Sequence, residues 1–246
     1  MIIYLTSDPG TVYKEDCEDK GLGLNKDNGF VDSLKKYWKD NSKVLIFASD
    51  PFDEKMNKEN VAFVKQAWPY SGLTISKVDI CDDKHRELVD KINEYDFILL
   101  SGGHVPTEHK FFKELNLREK LASFNGILMG ISAGTMIQAS NVYSLPELEG
   151  ESLDPNYKRF LDGLGFTRLN IIPHYQYLNT VILDGKKMIE EIALEDSYRK
   201  KFYGIVDGAY VLIKDRVSTL YGEGYLISEG KIELICKKDQ SRVLEG

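Results

Sequence analysis

The chain has 246 residues, 42% of them hydrophobic and 29% charged, which supplies apolar material for one sizeable core and excludes bulk disorder. A formal net charge of -7 argues against any partner that must be bound by neutralising many phosphates, so nucleic acid is not expected. No apolar run reaches membrane-spanning length, and Cys17, Cys81 and Cys236 are too few, too scattered and odd in number for a disulfide framework or a zinc site. The expectation is a single α/β domain over residues 1–246 in the reducing cytoplasm, with no membrane, metal or cofactor.

Residues 1–6 are apolar without a basic leader or a small-residue cleavage site, and they read as a first strand instead of a signal peptide. Residues 2–5, 44–47, 73–78, 97–100 and 127–129 are short apolar runs, each separated from the next by a stretch with helical spacing. In those intervals Phe30, Leu34 and Tyr37 share a face, as do Val61, Val64, Ala67 and Trp68, and then Leu88, Ile92 and Tyr95 with the stem of Lys91. Right-handed crossovers of this length predict a mostly parallel, doubly wound sheet whose ligands gather beyond the carboxyl ends of the strands. Residues 143–157, rich in Glu, Pro, Gly and Ser, read as a long surface loop. Strand-like pieces at 203–206, 209–214, 217–221, 225–227 and 232–236 predict an antiparallel meander extending one edge of the same sheet.

Two loops fall where chemistry is expected: Ser101-Gly102-Gly103-His104 after residues 97–100, and Gly130-Ile131-Ser132-Ala133-Gly134 after residues 127–129. The second matches the G-x-S-x-G elbow, in which a serine sits on a strained turn between a strand and a helix, and residues 135–139 can continue as that helix. Flanking glycines let the turn close, and the amides that open the helix face the oxygen that gains charge during attack. A small-residue turn of this kind can also serve close packing alone.

A serine nucleophile needs a base, and the chain has four histidines. His85 lies in a charge cluster with Asp82, Asp83, Lys84, Arg86 and Glu87, and His109 sits beside Lys110 in the first turn of a helix, so both read as surface residues. His174 follows the apolar residues 169–172 and Pro173, at a strand end in the same layer as Ser132. The loop before it offers Glu147, Glu149, Glu151 and Asp154 as a third member that would hold the imidazole, and residue chemistry does not rank them. A cysteine nucleophile is disfavoured, since Glu15, Asp16, Glu18 and Asp19 flank Cys17 and oppose its thiolate.

Three blocks together resemble the peptidase family of dipeptidase E, the aspartyl dipeptidases, with cyanophycinase as a relative: residues 100–104, residues 130–134, and Gly163-Leu164-Gly165-Phe166 running on to Pro173-His174. A weaker fourth is Gly204-Ile205-Val206-Asp207-Gly208-Ala209. The resemblance implies a glutamine-amidotransferase-like (flavodoxin-like) three-layer fold and a triad of Ser132, His174 and the acid nearest Glu147. It also implies an oxyanion hole from the N–H groups of Gly103 and Ala133, with His104 and Gly102 beside the substrate. The family's Asp-initial dipeptides would require a cation, for which Lys158, Arg159 and Arg168 are the candidates. The sequence departs from the family pattern at His104, at Tyr175, and at Val206-Asp207 where an Asp-Glu pair is typical.

The expected reaction is hydrolysis of a short peptide through an acyl-enzyme, with homodimerisation allowed. The rivals are an esterase-like or cyanophycinase-like serine hydrolase and a non-catalytic member that binds a small ligand in the same crevice.

Overall fold

The computed structural model describes residues 1–10 and 23–245, so the reading of Cys17 lies outside the described residues. Five parallel strands make the centre of the large sheet: β1 (Ile2–Thr6), β2 (Ser42–Phe47), β3 (Ile75–Cys81), β4 (Phe97–Leu100) and β5 (Ile127–Ile131). Their spatial order is β1-β5-β4-β2-β3.

Alternation along these strands splits the interior into two cores. Ile3, Leu5, Leu45, Phe47, Ile98, Leu100 and Leu128 face one side, while Tyr4, Val44, Ile46, Phe97, Leu99, Ile127 and Met129 face the other. The second face is covered by α1 (Phe30–Lys35) and α2 (Glu54–Tyr70), through Phe30, Leu34, Val64 and Trp68. The first is covered by a 3-10 segment at Arg86–Glu94, by α3 (Val105–Glu114), and by α4 (Leu117–Leu121), through Ile92, Phe111, Phe112 and Leu121. Three layers result, as the helical spacing predicts, although residues 86–94 wind as 3-10 turns.

The carboxyl third departs from the predicted single meander. Following the short strands β6 (Asn141–Tyr143), β7 (Phe160–Asp162), β8 (Ile171–Ile172), β9 (Ile182–Leu183) and β10 (Lys186–Lys187) come β11 (Phe202–Ile205), β12 (Tyr210–Lys214), β13 (Val217–Tyr221), β14 (Gly224–Ser228), β15 (Lys231–Cys236) and β16 (Ser241–Leu244). Strands β12, β13 and β16 do extend the β1 edge antiparallel. Strands β11, β14 and β15 instead join β8 in a separate four-stranded sheet of order β15-β14-β11-β8. The reason is the pairing of β11 with β8, which is parallel (Tyr203 with Ile171, Gly204 with Ile172) and leaves the carboxyl ends of both strands side by side. No helix among the described residues is long and apolar enough to cross a membrane.

Candidate active site

The elbow takes the strained form that its sequence predicts. Ser132 follows β5 at φ 50° and ψ -113°, a region that L-residues avoid, and it leads into the one-turn helix α5 (Ala133–Met136). The helix ends at Met136, short of the expected continuation through residues 135–139. Several bonds hold the strained residue: the Ser132 N–H donates to the carbonyls of Thr6 (3.2 Å) and Ser7 (3.1 Å), and the Thr6 N–H donates to Thr135 Oγ1 (2.8 Å). The Thr6 hydroxyl donates to the Gly130 carbonyl at 2.7 Å, closing a lock between the ends of β1 and β5.

The two elbow glycines are steric requirements. A Cβ on Gly130 would overlap the Gly134 carbonyl, and one on Gly134 would overlap the carbonyls of Leu100 and Ser101. Gly134 therefore lets the elbow dock against the loop that follows β4. There Gly102 sits so close that a Cβ on it would stand 3.2 Å from the Ser132 Cβ, and the Ser49 hydroxyl holds the Gly102 carbonyl at 2.7 Å. Among the described residues no backbone carbonyl takes the N–H of Gly103 or Ala133, the two predicted oxyanion donors.

His174 lies just past β8 with φ 52° and ψ 32°, at the start of α6 (Tyr175–Leu178). Its Nδ1 is 2.7 Å from Asp207 Oδ1, and Asp207 lies just past β11, so the parallel pair β8/β11 brings imidazole and carboxylate together. Ser7, at the end of β1, bridges them: its Oγ donates to Asp207 Oδ1 (2.6 Å) and accepts from the His174 N–H (2.7 Å). Gln176 clamps the same carboxylate, donating from Nε2 to Oδ2 (2.5 Å) and accepting the Asp207 N–H at Oε1 (3.2 Å).

Burial alone would raise the Asp207 pKa, but the bonds from His174, Ser7 and Gln176 hold it below the usual carboxylate range. Burial likewise pulls His174 down, and the bond and charge of Asp207, with Asp8 and Glu147 adding to it, leave the imidazole above its ordinary value. Ser132 and His174 line one cleft of about 240 Å³ without a hydrogen bond between them. Such bonds are often long before substrate arrives.

The carboxylate that contacts the imidazole is not the expected one. Glu147 lines the cleft but makes no hydrogen bond to His174, whose Nδ1 belongs to Asp207. The alternatives do not reach it either. Glu151 Oε1 meets His104 Nε2 at 2.8 Å while its Oε2 accepts the N–H groups of Glu147 and Leu148. Asp154 caps Asn156, and Glu149 is exposed. His104, expected at the substrate, has its other ring nitrogen 2.9 Å from Thr107 Oγ1, so both nitrogens are engaged and the residue tethers the 143–157 loop to the loop that follows β4.

His85 pairs with Asp82 (2.8 Å) on the surface, as its charge cluster predicts, and His109 bonds the Asp162 carbonyl. The three cations proposed for an aspartate side chain lie elsewhere. Arg159 is paired with Asp196 at 3.2 Å, Arg168 lines a depression beside Met1 and Ile3 at the opposite end of the sheet, and Lys158 is exposed.

Asp207, Ser7 and Gln176 escaped the sequence reading. An acid at the carboxyl end of a predicted strand, just before Gly208, satisfies the positional rule that selects Ser132 and His174, and that signal could have found Asp207.

An elbow serine, a glycine loop packed on it and an imidazole anchored by a carboxylate, all at the carboxyl ends of a three-layer α/β sheet, define a hydrolase. The match to a known family is more specific: residues 26–220 fit the model of peptidase family S51, and the chain belongs to that family. The uncharacterized peptidase Lmo0363 of Listeria monocytogenes is 24% identical over 161 residues, which are 62% of this chain and 73% of that protein. A peptidase from an acI-B1 actinobacterium superposes with a TM-score of 0.65 at 15% identity, over 99% of this chain and 96% of that one. A peptidase E candidate of Listeria monocytogenes EGD-e gives 0.56 at 18% identity, over 99% and 98%. The flavodoxin-like fold is shared with both.

Proposed function

We propose that the protein is a serine peptidase of the dipeptidase E kind that hydrolyses short peptides through Ser132, His174 and Asp207. The observation that carries this reading is the anchoring of the imidazole. Asp207 holds Nδ1 at 2.7 Å, which leaves Nε2 as the nitrogen available to the cleft that Ser132 lines. In the reaction, Nε2 accepts the Ser132 proton while Oγ attacks the scissile carbonyl, and Asp207 stabilises the imidazolium that forms. The developing oxyanion is received by the N–H groups of Gly103 and Ala133. His174 then returns the proton to the leaving amine, and water repeats the cycle on the acyl-enzyme.

Family membership supports the peptidase class. The strain at Ser132 supports its role, since a costly backbone conformation held by several bonds at a cleft is the usual mark of a working residue. Replacing Ser132 by Ala tests the reading. Dipeptide turnover should fall by several orders of magnitude with an unchanged melting temperature, and a Ser132→Ala protein that still turns over peptides would overturn it.

A further inference from the structure

The cleft beside Ser132 has a one-sided chemistry that the reaction itself does not need. Much of its lining is an apolar wall of Met136, Leu145, Leu178, Val181 and Met188. Set among them is one carboxylate, Glu147, and no Lys or Arg of the described residues lines the space. At about 240 Å³ the room is smaller than the ~300–1,000 Å³ typical of drug-sized ligands, which suits a single residue of a short peptide.

Glu147 makes no ion pair with a Lys or Arg among the described residues, and His174 is the positive charge that acts on it. Crowding by protein and the nearby charge of Glu151 push its pKa up to about 7. A second carboxyl, Glu108, is completely buried and neither of its oxygens has a hydrogen-bond partner; Glu147 is the charged neighbour that acts on it. Buried carboxylates are normally paired with a cation, and Glu108 has none among the described residues, while Glu147 opens to solvent at the cleft.

We infer that Glu147 is a specificity residue that receives the α-ammonium of the substrate's first residue, and that the apolar wall takes an uncharged aliphatic side chain there. Geometry permits both contacts at once. When the scissile carbonyl sits over Ser132, the α-carbon is one bond away and carries both the ammonium and the side chain, so each must enter the space that Glu147 and the apolar wall enclose. An aspartate side chain would place a second negative charge beside Glu147 where no Lys or Arg of the described residues lines the space, which costs free energy. The preferred substrates are therefore dipeptides with a free amino terminus and a leading Leu or Met, and Asp-initial dipeptides are disfavoured. This inference rests on Ser132 being the attacking group, because that fixes where the carbonyl lies.

Binding to the Ser132→Ala protein tests it without turnover, using Leu-Ala, N-acetyl-Leu-Ala and Asp-Ala measured by calorimetry or NMR titration. Leu-Ala should bind at least tenfold more tightly than either of the others. The additional change Glu147→Gln should erase the advantage over the acetylated peptide, and Glu147→Asp should restore part of it. In the otherwise wild-type enzyme, Glu147→Gln should raise KM for Leu-Ala about tenfold and leave kcat within a few-fold. Tightest binding of Asp-Ala, or an amino-terminal preference that survives Glu147→Gln, would overturn the inference. An equal loss of kcat on free and acetylated peptides would also overturn it, because Glu147 would then be acting through His174. Failure of Ser132 itself shows separately, as a Ser132→Ala protein that still turns over peptides.

Discussion

Exchanging Asp207 for Asn leaves shape almost unchanged and removes one charge, so its effect can be sized from the site. Oδ1 accepts from both His174 Nδ1 and Ser7 Oγ, while Oδ2 accepts from Gln176 Nε2. An amide has a single acceptor, so in either orientation its NH2 group faces a donor, and the flip that spares Gln176 forces His174 into the wrong tautomer. A charge pair at about 4 Å is worth about 4 kcal/mol at an effective dielectric of 20. His174 and Asp207 keep 32% and 39% of their side-chain surface exposed, so solvent screening cuts that to about 2 kcal/mol, or roughly 30-fold in rate. Tautomer loss multiplies this, up to about 10⁴ in total by analogy with other Ser-His-Asp enzymes. The expected result for Asp207→Asn is a fall in kcat between about 30-fold and 10⁴-fold, with KM within a few-fold of the parent and far-UV circular dichroism unchanged. Steady-state kinetics on a cleaved dipeptide read it directly. A folded Asp207→Asn enzyme within threefold of the parent would refute the assignment of the acid.

Ser7→Ala removes the hydroxyl that joins Asp207 to the His174 backbone, and kcat should drop about tenfold, with much of it regained in Ser7→Thr. Gly134→Ala pushes a methyl into the carbonyls of Leu100 and Ser101; it should abolish turnover and lower the melting temperature by several degrees, as read by calorimetry. His174 must be neutral at Nε2 to accept a proton, and its pKa lies above the ordinary value, so the acid limb of kcat/KM should fall above pH 6.5. Asp207→Asn removes the largest raising cause and leaves burial, which lowers the pKa, so the residual activity of that variant should show its limb displaced toward acid pH.

Much of this molecule is readable from local pattern. The parallel strands show as short apolar runs such as Phe97–Leu100, buried on both sides, while their division between two cores comes from the structure. Ser132 and His174 stand at strand ends, where a sheet of this kind places its chemistry. Asp207 was not legible as the partner of His174 because the loop between serine and histidine offers several acids and Asp207 lies well beyond both in sequence. Asp207 reaches His174 only through the parallel pairing of β11 with β8, a strand of two residues with no periodicity to detect. The same pairing withdraws β11, β14 and β15 into a second sheet, where strand propensity alone allows one continuous meander. The loop acids look interchangeable in sequence, and only tertiary contacts separate them: Glu151 goes to His104, and Glu147 to the cleft.

The central claim is that the hydroxyl of Ser132 is the nucleophile. Treating the native protein with a fluorophosphonate and mapping the adduct by mass spectrometry tests it most directly. One modification is predicted, on the peptide that contains Ser132, lost in Ser132→Ala and strongly slowed in His174→Ala. No adduct, or an adduct on a different residue while Ser132 stays unmodified, would contradict the account.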